Sequence, residues 1–403
     1  MRDEDRQFCP KVSRRQFSKI LLATAAASAL PVGKGRAAEA VASSPEAKVF
    51  LQGLAKDAPD SAIISAVKEA ALAATDFSWL KKGDRVLIKP VCNSPNKYPA
   101  TTNPAGLKAM AMLLKERGAG RVIVSDMSGV QYVNLKPDGL RGSTRKLMQD
   151  NGLFQAAQAG GADLFFPEEQ GWSAFFEDGP VSGSHWKAGI MIPKILKEVD
   201  HIVLMPRTAR HMVVGTTLGM KAVVGYMRHD SRLEYHRDAA TLYEKTAEAN
   251  TVPCLKNKLR LVLTTATKTL TTMGPDNGYI NTPETGLIIA SDSLVAHDMA
   301  SLAWLIVNRE QTPEPEKKGM KDPFPERNSL LNSGVVLILG GVGEVARTEK
   351  MPSFILNSIW DEPVLKHYFK ISGQVPMVKM VDTANTVPVK LMNKLSKMVV
   401  KQA

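Results

Sequence analysis

Two short runs decide the fold: Arg85-Val86-Leu87-Ile88-Lys89-Pro90 and Arg121-Val122-Ile123-Val124-Ser125-Asp126. Each is a β-branched, apolar stretch of strand length that ends on a proline or a polar residue. Proline cannot donate to a sheet ladder, so the first strand should stop at Pro90. Pro104 to Arg117 lies between them and reads as a helix, with Pro104 suiting its first turn and Gly118 its end. Working outward, Lys48 to Gln52 reads as a strand, and Ser61 to Ala74 as a helix with Ile63, Ile64, Val67 and Leu72 at helical spacing. His201 to Met205 is a strand ending at Pro206. Ala239 to Ala249 is helical, Leu259 to Thr264 and Gly286 to Ala290 are strands, and Val295 to Val307 is a helix packed back on the sheet. This alternation predicts an α/β fold: a layered, largely parallel or mixed sheet with flanking helices, plus a C-terminal extension. Ligands of such sheets bind at the C-terminal ends of strands, which here carry Lys89, Asp126, Arg207 and Ser291.

The segment Gln311 to Asn328, rich in Pro, Glu and Lys, reads as an exposed loop or linker. The expected organisation is therefore a leader over 1–40, an α/β core over 41–310, and a linker with a C-terminal α/β extension over 311–403. Within the extension, Gly340-Gly341-Val342-Gly343 reads as a turn after an apolar strand. It lacks the full dinucleotide-binding spacing. Val389 to Lys401 places Leu391, Leu395 and Met398 on one helical face with lysines outside it. Such a basic amphipathic helix docks on its own domain or makes a peripheral contact with an anionic membrane.

The first forty residues have the layout of an export address. Ser13-Arg14-Arg15-Gln16-Phe17-Ser18-Lys19 is followed by an Ala-rich apolar stretch, Ile20 to Val32, and by small residues around Ala37, Ala38 and Ala40. This resembles a bacterial twin-arginine signal peptide. The resemblance implies the twin-arginine translocase as a partner during export and a periplasmic or otherwise exported destination. It also implies a protein that folds before export, as many carriers of a metal or organic cofactor do.

Composition narrows the rest. The chain of 403 residues carries a formal charge of +12, which suits an anionic small molecule or a membrane surface. No basic–aromatic module for nucleic acid is visible. Of three cysteines, Cys9 falls in the leader, leaving Cys92 and Cys254. A four-cysteine iron–sulfur cluster is thereby excluded.

Functional residue types are densest between Pro206 and His236. Arg210, Lys221 and the hydroxyls of Thr216 and Thr217 are suited to hold an anionic group. Lys89, Asn93 and Asp126 join them as ligand-binding candidates at strand ends. His211, Lys221 and Asp298 are the candidates for catalysis. His211, His229 and His236 are the candidate metal ligands. His229 and His236 are seven apart, so on one continuous helix they would lie about 10 Å apart along the axis. Bonds of about 2 Å cannot bridge that gap, and joint ligation needs a loop between them. Asp292 reads either as a base or as the N-cap of the helix that carries Asp298.

Several motifs together resemble one family over about Lys82 to Leu305, the domain of unknown function 362. They are Gly83-Asp84-Arg85-Val86-Leu87-Ile88-Lys89-Pro90, Thr101-Thr102-Asn103-Pro104, Val122-Ile123-Val124-Ser125-Asp126, Arg210-His211 with Thr217 and Lys221, Gly274-Pro275 with Gly278, and Ser291-Asp292 with Val295-Ala296 and Asp298. Where that family often shows Lys-Pro-Asn, this chain has Lys89-Pro90-Val91, with Asn93 nearby. It also lacks the Cys-rich iron–sulfur domain of some members. The order His211, Lys221, then His229 or His236 is more distantly similar to lactate-racemase-type proteins. That likeness implies histidines and a lysine around a nickel-containing pincer nucleotide. Together these readings predict an exported enzyme that acts on or with an anionic ligand and holds a metal or organic cofactor. The alternatives are a periplasmic binding protein without catalysis, and an envelope assembly factor.

Overall fold

A computed structural model describes residues 45–401, apart from Ser184. The twin-arginine-like leader lies outside the described residues.

An eight-stranded sheet forms the centre. Its strands are β1 (Glu46–Ala55), β2 (Arg85–Pro90), β3 (Arg121–Ser125), β4 (Asp163–Phe165), β5 (His201–Met205), β6 (Leu259–Ala266), β7 (Thr285–Ser291) and β8 (Met377–Asp382). They lie in the order β8-β1-β7-β6-β5-β2-β3-β4. From β6 through β4 neighbouring strands are parallel. Strand β7 runs antiparallel to both β6 and β1, which makes the sheet mixed, and β8 lies parallel to β1.

Alternation along the strands sets the layers. Val86, Ile88, Val203 and Met205 face one apolar cluster beneath helices α1 (Asp60–Ala74) and α2 (Pro104–Glu116). Leu87 and Ile202 face the opposite side. There they meet Tyr235 of α3 (His229–Arg237) and Leu242 and Tyr243 of α4 (Leu242–Ala249). Helix α5 (Leu294–Glu310), buried along most of its length, packs over β6 and β7 on that side. Each fully buried aliphatic side chain in these layers contributes about 1.5–3 kcal/mol. No helix of the described residues is long and apolar enough to cross a membrane.

Three local expectations are corrected. The turn at Gly340–Gly343 follows a helix, α6 (Asn328–Gly340), and not a strand. The Gln311–Asn328 segment is not a fully exposed linker, because Asp322 and Phe324 are buried. The N-cap of α5 is Ser293, whose side chain accepts from Ala296 N, and Asp292 is exposed beside it. Near the C-terminus, α7 (Pro363–Ser372) and α8 (Val389–Met398) cover the sheet. Helix α8 turns Leu391, Leu395 and Met398 onto the core, and Lys394 pairs with Glu310.

Strands β2, β3 and β4 follow one another outward in the sheet, whereas β5 returns to the other side of β2. This reversal opens a crevice at the C-terminal ends of β2 and β5. Thr102 fixes its width: its hydroxyl donates to Met205 O (2.6 Å) and accepts from Val91 N (2.9 Å). The next residue, Asn103, caps α2 by accepting from Gly106 N (2.9 Å).

Candidate functional site

The crevice holds a cavity of about 150 Å³. Its lining includes Lys89, Asn93, Asp126, His211, Thr217 and Lys221, all anticipated from sequence, together with His236, Arg232 and Asp276.

Lys89 and Asp126 form a buried ion pair at 2.8 Å. The carboxylate also accepts from Cys92 N (2.7 Å) and Met127 N (2.9 Å), while Lys89 Nζ donates to Pro90 O (2.8 Å). A charge pair removed from water survives only when its remaining polar atoms are satisfied in this way. Gly225 is pressed against the pair. A Cβ there would sit 2.2 Å from Asp126 Oδ1 and 2.5 Å from Lys89 Nζ.

The segment Ala209–His211 pairs antiparallel with Gly215–Thr217 as a hairpin. Its turn folds over His211, whose Nδ1 accepts from Val213 N (3.0 Å) and Val214 N (3.3 Å). His211 is therefore a neutral imidazole with its proton on Nε2. Burial, reinforced by Lys221, Arg207, His236 and Arg210, holds its pKa well below the usual histidine range.

His236 has the opposite proton arrangement. Asn332 Nδ2 donates to His236 O (2.7 Å), so Asn332 Oδ1 accepts from His236 Nδ1 (2.7 Å). Nε2 then carries the lone pair and has no hydrogen-bond partner among the described residues. Burial and Lys221 lower the pKa of His236 to about 3.

Lys221 lies on the 3-10 helix Met220–Tyr226. It is half-buried, lines the cavity and has no hydrogen-bond or ion-pair partner among the described residues. Burial and the neighbouring cations Arg232, Arg207 and Lys89 lower its pKa to about 7. Asp298 positions it: the carboxylate accepts from Gly219 N (2.8 Å) and Met220 N (2.7 Å), capping that helix from α5. With both oxygens engaged, Asp298 serves as an anchor for Lys221 and is not a free base.

The other candidates separate. The Thr217 hydroxyl is buried at the cavity without a partner, whereas Thr216 lines a smaller cavity beside Asp298 and Glu362. Arg210 is committed elsewhere, to Asp322 (3.4 Å), Gly215 O (3.1 Å) and Phe324 O (3.3 Å), so it does not line the main cavity. The three-histidine metal set is not assembled. His229 and His236 share one continuous helix, α3, and His229 spends both ring nitrogens on the backbone, accepting from Leu135 N (3.3 Å) and donating to Val133 O (2.8 Å).

Two cations and one acid near the cavity had no assigned role in the sequence, although Arg207 stands at a strand end and Arg232 in the dense 206–236 segment. Arg232 is buried and donates to Met127 O (2.7 Å), Ser128 O (2.6 Å) and Met227 O (2.9 Å). Arg207 donates to Pro99 O (3.2 Å) and Pro275 O (2.5 Å), yet leaves Nε and Nη2 buried without partners. Asp276 lines the cavity, and burial raises its pKa. Arg207 and Arg232 were legible as members of that dense segment; Asp276 depends on a contact distant in sequence.

No curated protein matches this chain. Among solved structures, a protein from Thermotoga maritima is similar at 13% identity and a TM-score of 0.39, over 64% of this chain and 60% of the other. This chain thus spans less than two thirds of that protein's length. The lactate racemase apoprotein from Thermoanaerobacterium thermosaccharolyticum is similar at 11% identity and a TM-score of 0.40, over 85% and 95% of the two chains. Residues 86–303, more than half of the chain, match the family described as a domain of unknown function, DUF362, and the chain belongs to that family.

Proposed function

We propose that the chain is an enzyme acting on a small anionic carbonyl compound, with Lys221 as the amine and His211 and His236 as its acid and base. One observation carries this reading: two neutral imidazoles in opposite proton states face one cavity beside an amine of lowered pKa. His211 presents Nε2–H, and His236 presents a lone pair. An amine with pKa near 7 is largely free base at slightly alkaline pH, the form that attacks a carbonyl. Attack forms a carbon–nitrogen bond, and loss of water leaves an imine on Lys221. His211 supplies the proton that the departing oxygen needs, and His236 accepts the proton released by nitrogen or by the adjacent carbon. Arg207, Arg232 and the Thr217 hydroxyl make the cavity favourable for a carboxylate. The volume suits a ligand of a few heavy atoms.

The test is reductive trapping. The protein is incubated with a panel of short 2-oxo acids and borohydride at pH 8, then digested and mapped by mass spectrometry. A reduced adduct on Lys221, absent from Lys221→Met and diminished in His236→Gln, is expected. Absence of any Lys221 adduct across the panel overturns the reading. We place this activity outside the cytoplasm, on the strength of the twin-arginine-like leader. A reporter that folds only in the cytoplasm, fused to residues 1–40, should appear in the periplasm and fail to do so after Arg14→Lys with Arg15→Lys.

A further inference from the structure

A second group lies apart from the cavity and shares no lining residue with it. His185, Glu248 and His367 bring three ligand atoms within 4.8 Å of one another, the one such group of His, Cys, Asp or Glu among the described residues. They come from three elements: the loop before the strand Ile190–Pro193, the last turn of α4, and the middle of α7. His185 Nδ1 and His367 Nε2 both meet Glu248 Oε1, the latter at 3.1 Å. The second carboxylate oxygen accepts from His185 N (3.0 Å). The Glu248 side chain is fully buried, and that of His185 is 35% exposed, so the group is closed on the protein side and open on the other. The loop hugs the carboxylate: a Cβ on Gly183 would lie 2.1 Å from Glu248 Cδ.

We propose that this group binds one divalent transition-metal ion of the zinc type through His185 Nδ1, His367 Nε2 and the Glu248 carboxylate. Two imidazoles and one carboxylate are a borderline-soft N/O donor set of the kind that zinc takes. Ligand atoms around one ion with bonds of about 2 Å sit about 3 Å apart, so a set already within 4.8 Å closes on it with small side-chain rotations. The fourth position falls on the exposed His185 side and is left to water. Without metal, the two imidazoles donate to one carboxylate oxygen. With metal, each turns a lone pair to the ion, so its ring proton moves to the other nitrogen and none is lost overall. The ion fastens the His185 loop to α4 and α7. That loop also carries Ser182, which with Thr251 and Tyr368 lines a cleft of about 880 Å³. Metal binding therefore controls one wall of that cleft.

The full-length protein, stripped with a chelator, is titrated with Zn²⁺ and with Co²⁺. One equivalent should bind, with the visible bands of four-coordinate Co²⁺ and a raised melting temperature. His185→Ala, in an exposed loop and checked for folding by circular dichroism, should weaken binding by roughly 100-fold. His367→Gln should do the same, while His211→Ala with His236→Ala should retain the bound equivalent. No uptake by the wild-type chain at micromolar metal, or uptake unchanged in both His185→Ala and His367→Gln, overturns the proposal and leaves a hydrogen-bonded triad.

Discussion

The cavity and the His185–Glu248–His367 group use the same side chains to opposite ends. In the cavity each imidazole spends one nitrogen on the protein and leaves the other to a ligand. His211 is held by two backbone N–H groups and His236 by Asn332. In the second group both imidazoles converge on one carboxylate. Both regions press a glycine against an acid, Gly225 on Asp126 and Gly183 on Glu248. At Asp126, however, a buried lysine already supplies the counter-charge. Among the described residues, only histidines hydrogen-bond to the Glu248 carboxylate. The lesson is that a cluster's chemistry follows from which nitrogens remain open and where the compensating cation comes from.

The comparison breaks most severely at the built-in cation. Lys89→Met leaves the Asp126 carboxylate buried without its partner and should cost about 3–5 kcal/mol, read by urea unfolding. Gly225→Ala drives a methyl into the same pair and should cost about 1–3 kcal/mol. Gly183→Ala, at φ +89, should instead show itself mainly as weaker zinc binding. Asp298→Ala removes the acceptor of two buried N–H groups and should cost about 1–3 kcal/mol. It should also lower trapping at Lys221, which sharpens the distinction between an anchor and a base.

The smallest effects are pH-dependent. His229 and His236 have folded pKa values lowered from 6.5 to about 3. Between those values the unfolded chain binds more protons than the folded one, so stability is full above pH 6.5 and falls as pH drops toward 3. His236→Gln should flatten that slope in acid titrations followed by circular dichroism. Lys221, lowered from 10.5 to about 7, obeys the same sign higher up: the fold gains stability as pH rises from 7 to 10.5. Lys221→Met removes an uncompensated cation. It should stabilise the protein at pH 6 by on the order of 1 kcal/mol, with the gain fading by pH 10.

Much of the sheet was legible because its strands are unambiguous. Arg85–Pro90, Arg121–Ser125 and His201–Met205 each hold an uninterrupted apolar run of three or four residues and are punctuated by Pro, Gly or a polar residue. Strand direction was not legible. Nothing local in Thr285–Ser291 announces that it runs against its neighbours, since orientation depends on crossovers. The cavity was partly legible: Lys89, Asp126, His211, Thr217 and Lys221 sit at strand ends or in one dense cluster. Side-chain direction was not, which is why Arg210 turned out to face Asp322, a residue 112 positions away. His185 and His367 were invisible as a pair because they lie 182 positions apart, and no spacing rule spans such a distance.

The sheet edge also has a consequence for how the chain comes together. Strand β1 lies between β7 and β8, partners more than two hundred and three hundred positions downstream. Until β7 is made, β1 has neither neighbour, and an unpaired apolar strand is a template for wrong partners. Emerging early, β1 must wait through most of synthesis before it is enclosed. The family-matching segment ends at residue 303, before β8 begins. A fragment cut to that segment would lose both β1 and β8 and leave β7 as a new, sticky border. Expression of the sheet in soluble form should therefore require both ends of the described chain.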